Sequence, residues 1–333
     1  MLQLKNETPF KAALDLFYDE NGIDTLIITV KALFTMDTPP QIFAQQAEPA
    51  RSDEYWAEPG SSSIKLGTDV TLIKPATDIV MTGNACALNG KPVHELDVRL
   101  TVGAIDKTVK VFGDRVWKSN GIGLIPSEPK YFDQMPLIYE RAYGGVHLME
   151  KKTLSVPRNP VGIGFKGKKK KKELTGQPVP NIEDPKNLII IAGDTPDPQG
   201  FGWFAPNWEP RKLYAGTYDE VWEKTRAPYL PQDFDLRFYQ AAHPDLICSE
   251  PPTDGEDVTI TNMSLDGEIH FKLPAVDLDV QAKFKNRTES LNMKVSTIQF
   301  EPNNRLFSLV WNGALAVDKE RLGCQLVTIR VKA

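Results

Sequence analysis

The sequence predicts a mainly β protein: antiparallel β-sandwich or barrel-like lobes joined by a Pro/Trp-rich, mostly irregular central segment with one short helix. Three observations carry this. Short apolar/polar alternations recur along both halves of the chain, separated by Asn, Asp, Gly and Pro turns. Helical periodicity is scarce. Residues 200–238 gather Trp203, Trp208 and Trp222, half of the chain's six tryptophans, among Pro206, Pro210, Pro228 and Pro231, with Pro198 just before. Proline fixes φ and removes a backbone donor, so most of this stretch cannot be regular helix or sheet.

Taken in order, the first strand lies over residues 26–34. Leu26, Ile28, Val30, Ala32 and Phe34 share one face and Thr29, Lys31 and Thr35 the other, with Ile27 and Leu33 implying that the second face is partly covered. Residues 44–63 are polar and turn-rich and read as loop. Residues 79–87, 95–102 and 107–112 read as a meander, with Asn89-Gly90 as the turn dipeptide between the first two. Val98, Leu100 and Val102 alternate with Asp97, Arg99 and Thr101, the pattern of a sheet with one wet face. A further strand is expected over residues 136–142. Residues 157–198 carry seven prolines and a lysine run, and read as a long irregular connection with one buried strand at residues 188–192. The lysines at 168–172, with Lys166 before them, read as a solvated loop tip, with contact to an acidic partner surface as the alternative.

Within residues 200–238 one helix is expected. Thr217 and Glu220 have the spacing of a capping box, Tyr218, Val221 and Trp222 then share a face, and Pro228 bounds the helix. Pro251-Pro252-Thr253-Asp254-Gly255 reads as a boundary, after which strands resume around Ile269, Leu278, Lys294, Leu306 and Val327. The expected division is therefore an N-terminal β lobe (1–150), a central segment packed between lobes (151–250) and a C-terminal β lobe (251–333).

The totals exclude several function classes. A net charge of −5 argues against nucleic acid as the main partner, because phosphate neutralisation needs a basic face. Cys86, Cys248 and Cys324 are odd in number and far apart, which suits a reducing compartment better than a disulfide framework. The first residues show no signal-peptide pattern, and no apolar run approaches a membrane span. The expectation is a soluble cytoplasmic protein without membrane insertion.

No motif for catalysis, cofactor or metal survives inspection. His94, His147, His243 and His270 lack metal-ligand spacing. Gly162-Ile163-Gly164-Phe165-Lys166-Gly167 matches Gly-x-Gly-x-x-Gly, and Lys168 extends it toward a P-loop. Position 169 is then lysine where a hydroxyl must hold Mg²⁺, and prolines precede where a strand should lead in. Asp219, Asp233 and Asp235 are the acids a carbohydrate-active or cell-wall-acting enzyme would use, provided two of them face each other across a cleft. The preferred reading is not an enzyme. Trp and Arg are enriched at interface hot spots, so Trp203, Trp208, Arg211, Tyr218 and Trp222, with Arg141 and Tyr143, are the candidate partner-binding residues. The competing reading is that the tryptophans plug a gap between sheets.

Several blocks resemble one bacterial family. They are Lys74-Pro75-Ala76-Thr77-Asp78, the segment Phe112-Gly113-Asp114-Arg115-Val116-Trp117, and Arg141-Ala142-Tyr143-Gly144-Gly145. Further on come Asn159-Pro160-Val161-Gly162-Ile163-Gly164, Val179-Pro180-Asn181-Ile182-Glu183, and the run from Gly200 through Trp208, Arg211, Tyr218 and Trp222 to Asp235. They occur in the family's order along nearly the whole chain. The family is described only as a domain of unknown function, encoded beside type VI secretion spike and PAAR-type effector genes. The resemblance implies a cytoplasmic adaptor or chaperone that binds a secreted effector, or a PAAR-type or spike protein, and promotes loading onto the spike. It implies no catalytic residues. A structural part of a secretion or phage-like assembly is the remaining alternative.

Overall fold

The longest strand, Asp24–Thr35, shows how the chain is assembled. It is a computed structural model that provides this view, describing residues 2–19, 21–252, 255–317 and 323–332. Leu26, Ile28, Val30, Ala32 and Phe34 point into the main core as the alternation requires. The opposite face is buried as well. Residues 68–72 cover it: Lys31 Nζ reaches Asp69 Oδ2 at 2.8 Å, and Asn312 Nδ2 bridges Thr29 Oγ1 and the Asp69 carbonyl at 2.9 and 3.1 Å. The sequence implied partial cover, and the structure shows it: Ile27, Thr29 and Lys31 are buried while Leu33 and Thr35 are half-buried.

This strand belongs to a six-stranded sheet. Its order is Ile247–Cys248, Thr77–Met81, Lys294–Glu301, Leu306–Ala316, Asp24–Thr35 and Lys11–Tyr18. All neighbours are antiparallel except Thr77–Met81 with Lys294–Glu301. A five-stranded antiparallel sheet runs Ile182–Glu183, Ile105–Phe112, Glu95–Val102, Asp257–Thr261 and Ile269–Lys272. A four-stranded sheet pairs Gln3–Asn6 in parallel with Cys324–Val331, followed by Leu278–Phe284 and Thr288–Leu291. The mainly β class with many antiparallel sheets is as the sequence indicates, and two short α-helices, Lys171–Leu174 and Glu220–Thr225, complete it among the described residues.

The three-part division along the chain is not how the sheets are built. The six-stranded sheet interleaves strands from before residue 82 with strands after residue 293, and the first strand pairs with the last. One buried cluster accordingly joins all three large sheets, through Val30, Val98, Val280 and Ile329 among others. A relay of rings crosses it: Phe34 to Phe307 at 5.3 Å and Phe307 to Phe271 at 4.9 Å between centroids. A second, smaller cluster holds Trp117, Leu124, Tyr143, Leu174, Val179, Ile189 and Ala192.

Several local expectations are corrected. The meander loses its first member. Residues 79–87 split into Thr77–Met81, buried at every position inside the six-stranded sheet, and Asn84–Cys86, which pairs with Gln134–Pro136. Gly83 makes the break: its φ is +137°, and a Cβ there would meet Asn303 Oδ1 at 2.2 Å. The Glu95–Val102 and Ile105–Phe112 hairpin forms as expected. The strand expected over 136–142 ends at Pro136, and a 3₁₀ turn, Tyr139–Arg141, follows. Residues 188–192 are not a strand. Ile189 and Ala192 insert into the smaller core while Ile190 and Ile191 face solvent. The amides of Ile190 and Ile191 donate to Asp194 Oδ2 at 2.8 and 2.9 Å, so one carboxylate replaces a sheet neighbour.

The expected capping box is also displaced by two residues. Asp219, not Thr217, caps the Glu220–Thr225 helix by accepting from Trp222 N at 2.8 Å. Thr217 is claimed instead by Asp233, which accepts from its amide and its hydroxyl at 2.9 and 2.7 Å. The lysine run does not end in a free tip: it leads into the Lys171–Leu174 helix, which is anchored by buried Leu174. Residues 44–63 are largely loop, with Glu54–Tyr55 pairing with Ile64–Leu66. The boundary at 251–255 lies partly outside the described residues.

Candidate functional site

The tryptophan-rich stretch is interior rather than surface. Trp203 and Trp208 are each 1% exposed, and Phe201 and Phe204 are as deeply buried. Trp208 meets the Tyr139 ring edge-on at 5.6 Å, and Tyr139 meets Phe204 at 5.1 Å. The Trp208 amide donates to the Ala205 carbonyl at 3.0 Å, a turn consistent with the proline-rich backbone. Arg211, also buried, donates from Nη1 to the Phe204 carbonyl at 2.6 Å and from Nε to the Phe238 carbonyl at 2.9 Å, with its guanidinium over the Phe238 ring. Its charge is satisfied by carbonyl dipoles and a ring face, and burial lowers its pKa from the usual arginine range.

Of the seven residues assigned to partner binding from sequence, Tyr143, Trp203, Trp208 and Arg211 are therefore packing residues. The gap-plugging alternative describes them. Arg141 is half-buried and ties Asp114 Oδ1 and Asn181 Oδ1 together at 3.1 Å each. Trp222 is likewise half-buried, and Tyr218 is exposed. Composition could not separate these groups, because a buried Trp and an interface Trp obey the same local rules.

What remains outside is a braced aromatic projection. The Tyr218 and Trp222 rings meet at 4.7 Å, Trp222 Nε1 donates to the Tyr229 carbonyl at 2.8 Å, and Tyr229 stands edge-on to Tyr18 at 4.9 Å. Val221 and Tyr218 are 66% and 55% exposed. Arg226 Nε closes the loop on the Leu230 carbonyl at 2.8 Å, and Gly216, at φ +77°, lets the chain turn against Pro231. Tyr18 and Tyr229 were missed from sequence: they are over 200 positions apart and only the fold joins them.

The three candidate enzymic acids are engaged locally. Asp219 caps the helix and Asp233 holds Thr217. Asp235 accepts from the Arg237 amide at 2.9 Å and from its guanidinium. Hydrogen bonds from Thr217 hold Asp233 below the usual carboxylate range, and those from Arg237 do the same for Asp235. Carboxylates held ionised in this way are poor general acids.

Another cluster went unseen in the sequence. Lys107 Nζ, buried at the side of an open cleft of about 750 Å³, donates to Gln199 Oε1 and Asp245 Oδ2 at 2.8 Å each and lies 3.3 Å from His243 Nδ1. His243 Nε2 is 3.2 Å from the Pro198 carbonyl. Burial, then the Lys107 charge, push the His243 pKa down to about 4. The neutral imidazole is thus the native form, and its stabilisation is present above the unfolded value of about 6.5 and is lost as pH falls toward 4. Denaturation midpoints should drop between pH 7 and 4.5, and His243→Gln should flatten that part of the profile. An unchanged slope in the variant would assign the loss to other groups.

The fold and these sites define a class: a mainly antiparallel β protein whose motif-rich loops build rigid interior and leave a braced aromatic projection at the surface. Within that class the chain belongs to the family described as "Uncharacterized protein conserved in bacteria (DUF2169)", which matches residues 21–312. No curated protein and no solved structure matches it. Among the described residues, no helix is long and apolar enough to cross a membrane and no group of His, Cys, Asp and Glu has the geometry to hold a metal ion.

Proposed function

We propose that this chain is a cytoplasmic adaptor or chaperone that binds a type VI secretion effector, or its PAAR-type region, and promotes its loading onto the secretion spike. The observation carrying this reading is the aromatic projection of Tyr218, Val221, Trp222 and Tyr229. Its backbone is already ordered by the Asp219 cap, the Asp233–Thr217 bonds and the Trp222–Tyr229 bond, so binding costs little further ordering. Rigid, half-exposed tyrosine and tryptophan rings supply large contact area at low entropic cost. The resemblance of the ordered sequence blocks to a family encoded beside secretion-effector genes supports the same reading.

The test is co-purification of the chain with the secreted protein encoded beside it. Tyr218→Ala with Val221→Asp should remove at least about 2 kcal/mol of binding, roughly a 30-fold rise in Kd. The midpoint of thermal unfolding should stay close to that of the parent, because neither side chain is buried. Full retention of the partner in this variant would reject the surface. Failure of the unaltered chain to retain any neighbouring secreted protein would reject the adaptor reading.

A further inference from the structure

The Gly-x-Gly-x-x-Gly segment that fails as a nucleotide motif nevertheless lines a cavity. Gly162, Ile163, Gly164 and Phe165 form one wall, Gly144 and Gly145 another, and Trp117, Leu174 and Lys169 close it, around about 130 Å³. The Tyr143–Gly144 and Ile163–Gly164 strands pair in parallel to build the glycine walls. A Cβ at Gly144 would lie 2.1 Å from the Asn159 carbonyl, so that position admits only glycine. The space is well below the roughly 300–1,000 Å³ of pockets that enclose a drug-sized ligand or nucleotide. The following helix, Lys171–Leu174, is a single turn and offers no useful dipole.

One side chain lining this cavity carries an orphan donor, and another is an ammonium without a counter-ion among the described residues. Trp117 is 2% exposed, and its indole Nε1–H is buried with no hydrogen-bond partner among the described residues. Buried donors are nearly always paired, so an orphan here asks for an explanation. Lys169 is half-buried, and among the described residues its ammonium meets only the Phe165 carbonyl, at 3.4 Å. Lys31, Lys74 and Lys107, the buried lysines elsewhere, each have a carboxylate within 2.8 Å. On either side of Lys169 in the chain, Lys166, Lys168, Lys170, Lys171 and Lys172 are exposed, and the lining residue Val146 alternates with exposed Leu148 along the Val146–Met149 strand, an apolar lip.

We propose that this cavity binds the carboxylate of an acidic side chain on a polypeptide partner, with Lys169 as its counter-ion, the outer lysines steering it in and the Val146–Leu148 lip taking an apolar neighbour. The polypeptide nature of the partner rests on the adaptor reading; the carboxylate chemistry rests on the cavity alone. The site gives the lysine run a specific role: one member grips and the others attract.

The test uses the full chain labelled with ¹⁵N at the tryptophan indoles, with the Trp117 cross-peak assigned by Trp117→Phe. The probes are an acetylated, amidated peptide of alternating Glu and Leu, its Gln/Leu counterpart, and inorganic phosphate, each at low and physiological salt. The acidic peptide should move the Trp117 indole resonance saturably, and the Gln peptide should not. Lys169→Met, which keeps the aliphatic stem, should weaken the acidic peptide at least 10-fold, whereas Lys170→Ala with Lys172→Ala should weaken it less than 3-fold at physiological salt. A silent Trp117 resonance, or equal losses in the two variants, overturns the proposal in favour of diffuse surface charge. Tighter binding of phosphate than of the acidic peptide also overturns it. Acidic-peptide binding in a chain that captures no neighbouring secreted protein would sink the adaptor reading while leaving the carboxylate site standing.

Discussion

Trp208→Ala is expected to cost about 3–5 kcal/mol, the range for emptying a fully buried aromatic site. The side chain is 1% exposed and wedged between Tyr139 and Phe204 at the centre of the main core. Its truncation leaves a cavity that ring neighbours pinned by proline-rich backbone cannot collapse into. Since total stability of a domain is only about 5–15 kcal/mol, the variant should be marginal at 37 °C. Arg211→Glu should do more damage, placing a carboxylate against the Phe204 and Phe238 carbonyls that now accept from the guanidinium. The expected result is insoluble protein. Urea denaturation of Trp208→Ala with Trp208→Phe as a control checks the first statement: the Phe variant should lose less than half as much. A Trp208→Ala protein as stable as the parent would mean that the ring is not part of the core. Loss of partner binding in either severe variant would report unfolding and not a contact surface.

Asp78→Ala is the second large effect. Asp78 is completely buried and accepts from Lys74 Nζ at 2.7 Å and from the Ala241 amide at 2.9 Å, while Lys74 also donates to Thr297 Oγ1 at 2.9 Å. One carboxylate thus joins the Thr77–Met81 strand to the segment at 240–241, and its lysine reaches the neighbouring Lys294–Glu301 strand. Removing it strands a buried ammonium, which costs about 3–5 kcal/mol. Replacing both members, Lys74→Met with Asp78→Leu, should restore much of this, because a buried ion pair contributes little net stability over an apolar pair. The recovery should stop about 1–3 kcal/mol short, since the Ala241 amide still lacks its acceptor. A double variant as unstable as Asp78→Ala alone would show that backbone anchoring, not the stranded charge, dominates.

The resemblance blocks take on physical meaning in this light. Lys74 and Asp78 form the buried pair. Arg115 and Glu183, from two other blocks, form a second, with the Arg115 guanidinium also on the Pro180 carbonyl. Burial pushes the Glu183 carboxyl up even though Arg115 and the Ile189 amide oppose it. Asn159 Nδ2 stitches the Tyr139 and Tyr143 carbonyls at 2.8 and 3.0 Å. These motifs are chiefly structural clamps on irregular backbone, which must have its donors and acceptors met one by one where no sheet does it collectively. Their residue types resemble those of an interface for that reason.

Strands with clear alternation were legible from the sequence, because a period of two needs only neighbouring residues to express it: Val98, Leu100 and Val102 declare their face without help, whereas the strands expected over 136–142 and 188–192, which lack it, do not form. The scarcity of helix and the irregularity imposed by the prolines of residues 200–238 are local for the same reason. The hairpin of Glu95–Val102 with Ile105–Phe112 was legible because its partners are adjacent in the chain, but long-range strand partnership was not. Thr77–Met81 lies beside Lys294–Glu301 and Gln3–Asn6 beside Cys324–Val331 through pairings that span most of the chain, and no local pattern encodes a partner that distant. Nor could sequence decide which tryptophans face inward. Trp208 and Trp222 sit 14 positions apart in similar company, and only the tertiary structure buries one at 1% exposure and leaves the other beside Tyr229 at the surface. Burial belongs to the whole fold, because it depends on which remote side chains arrive to displace water.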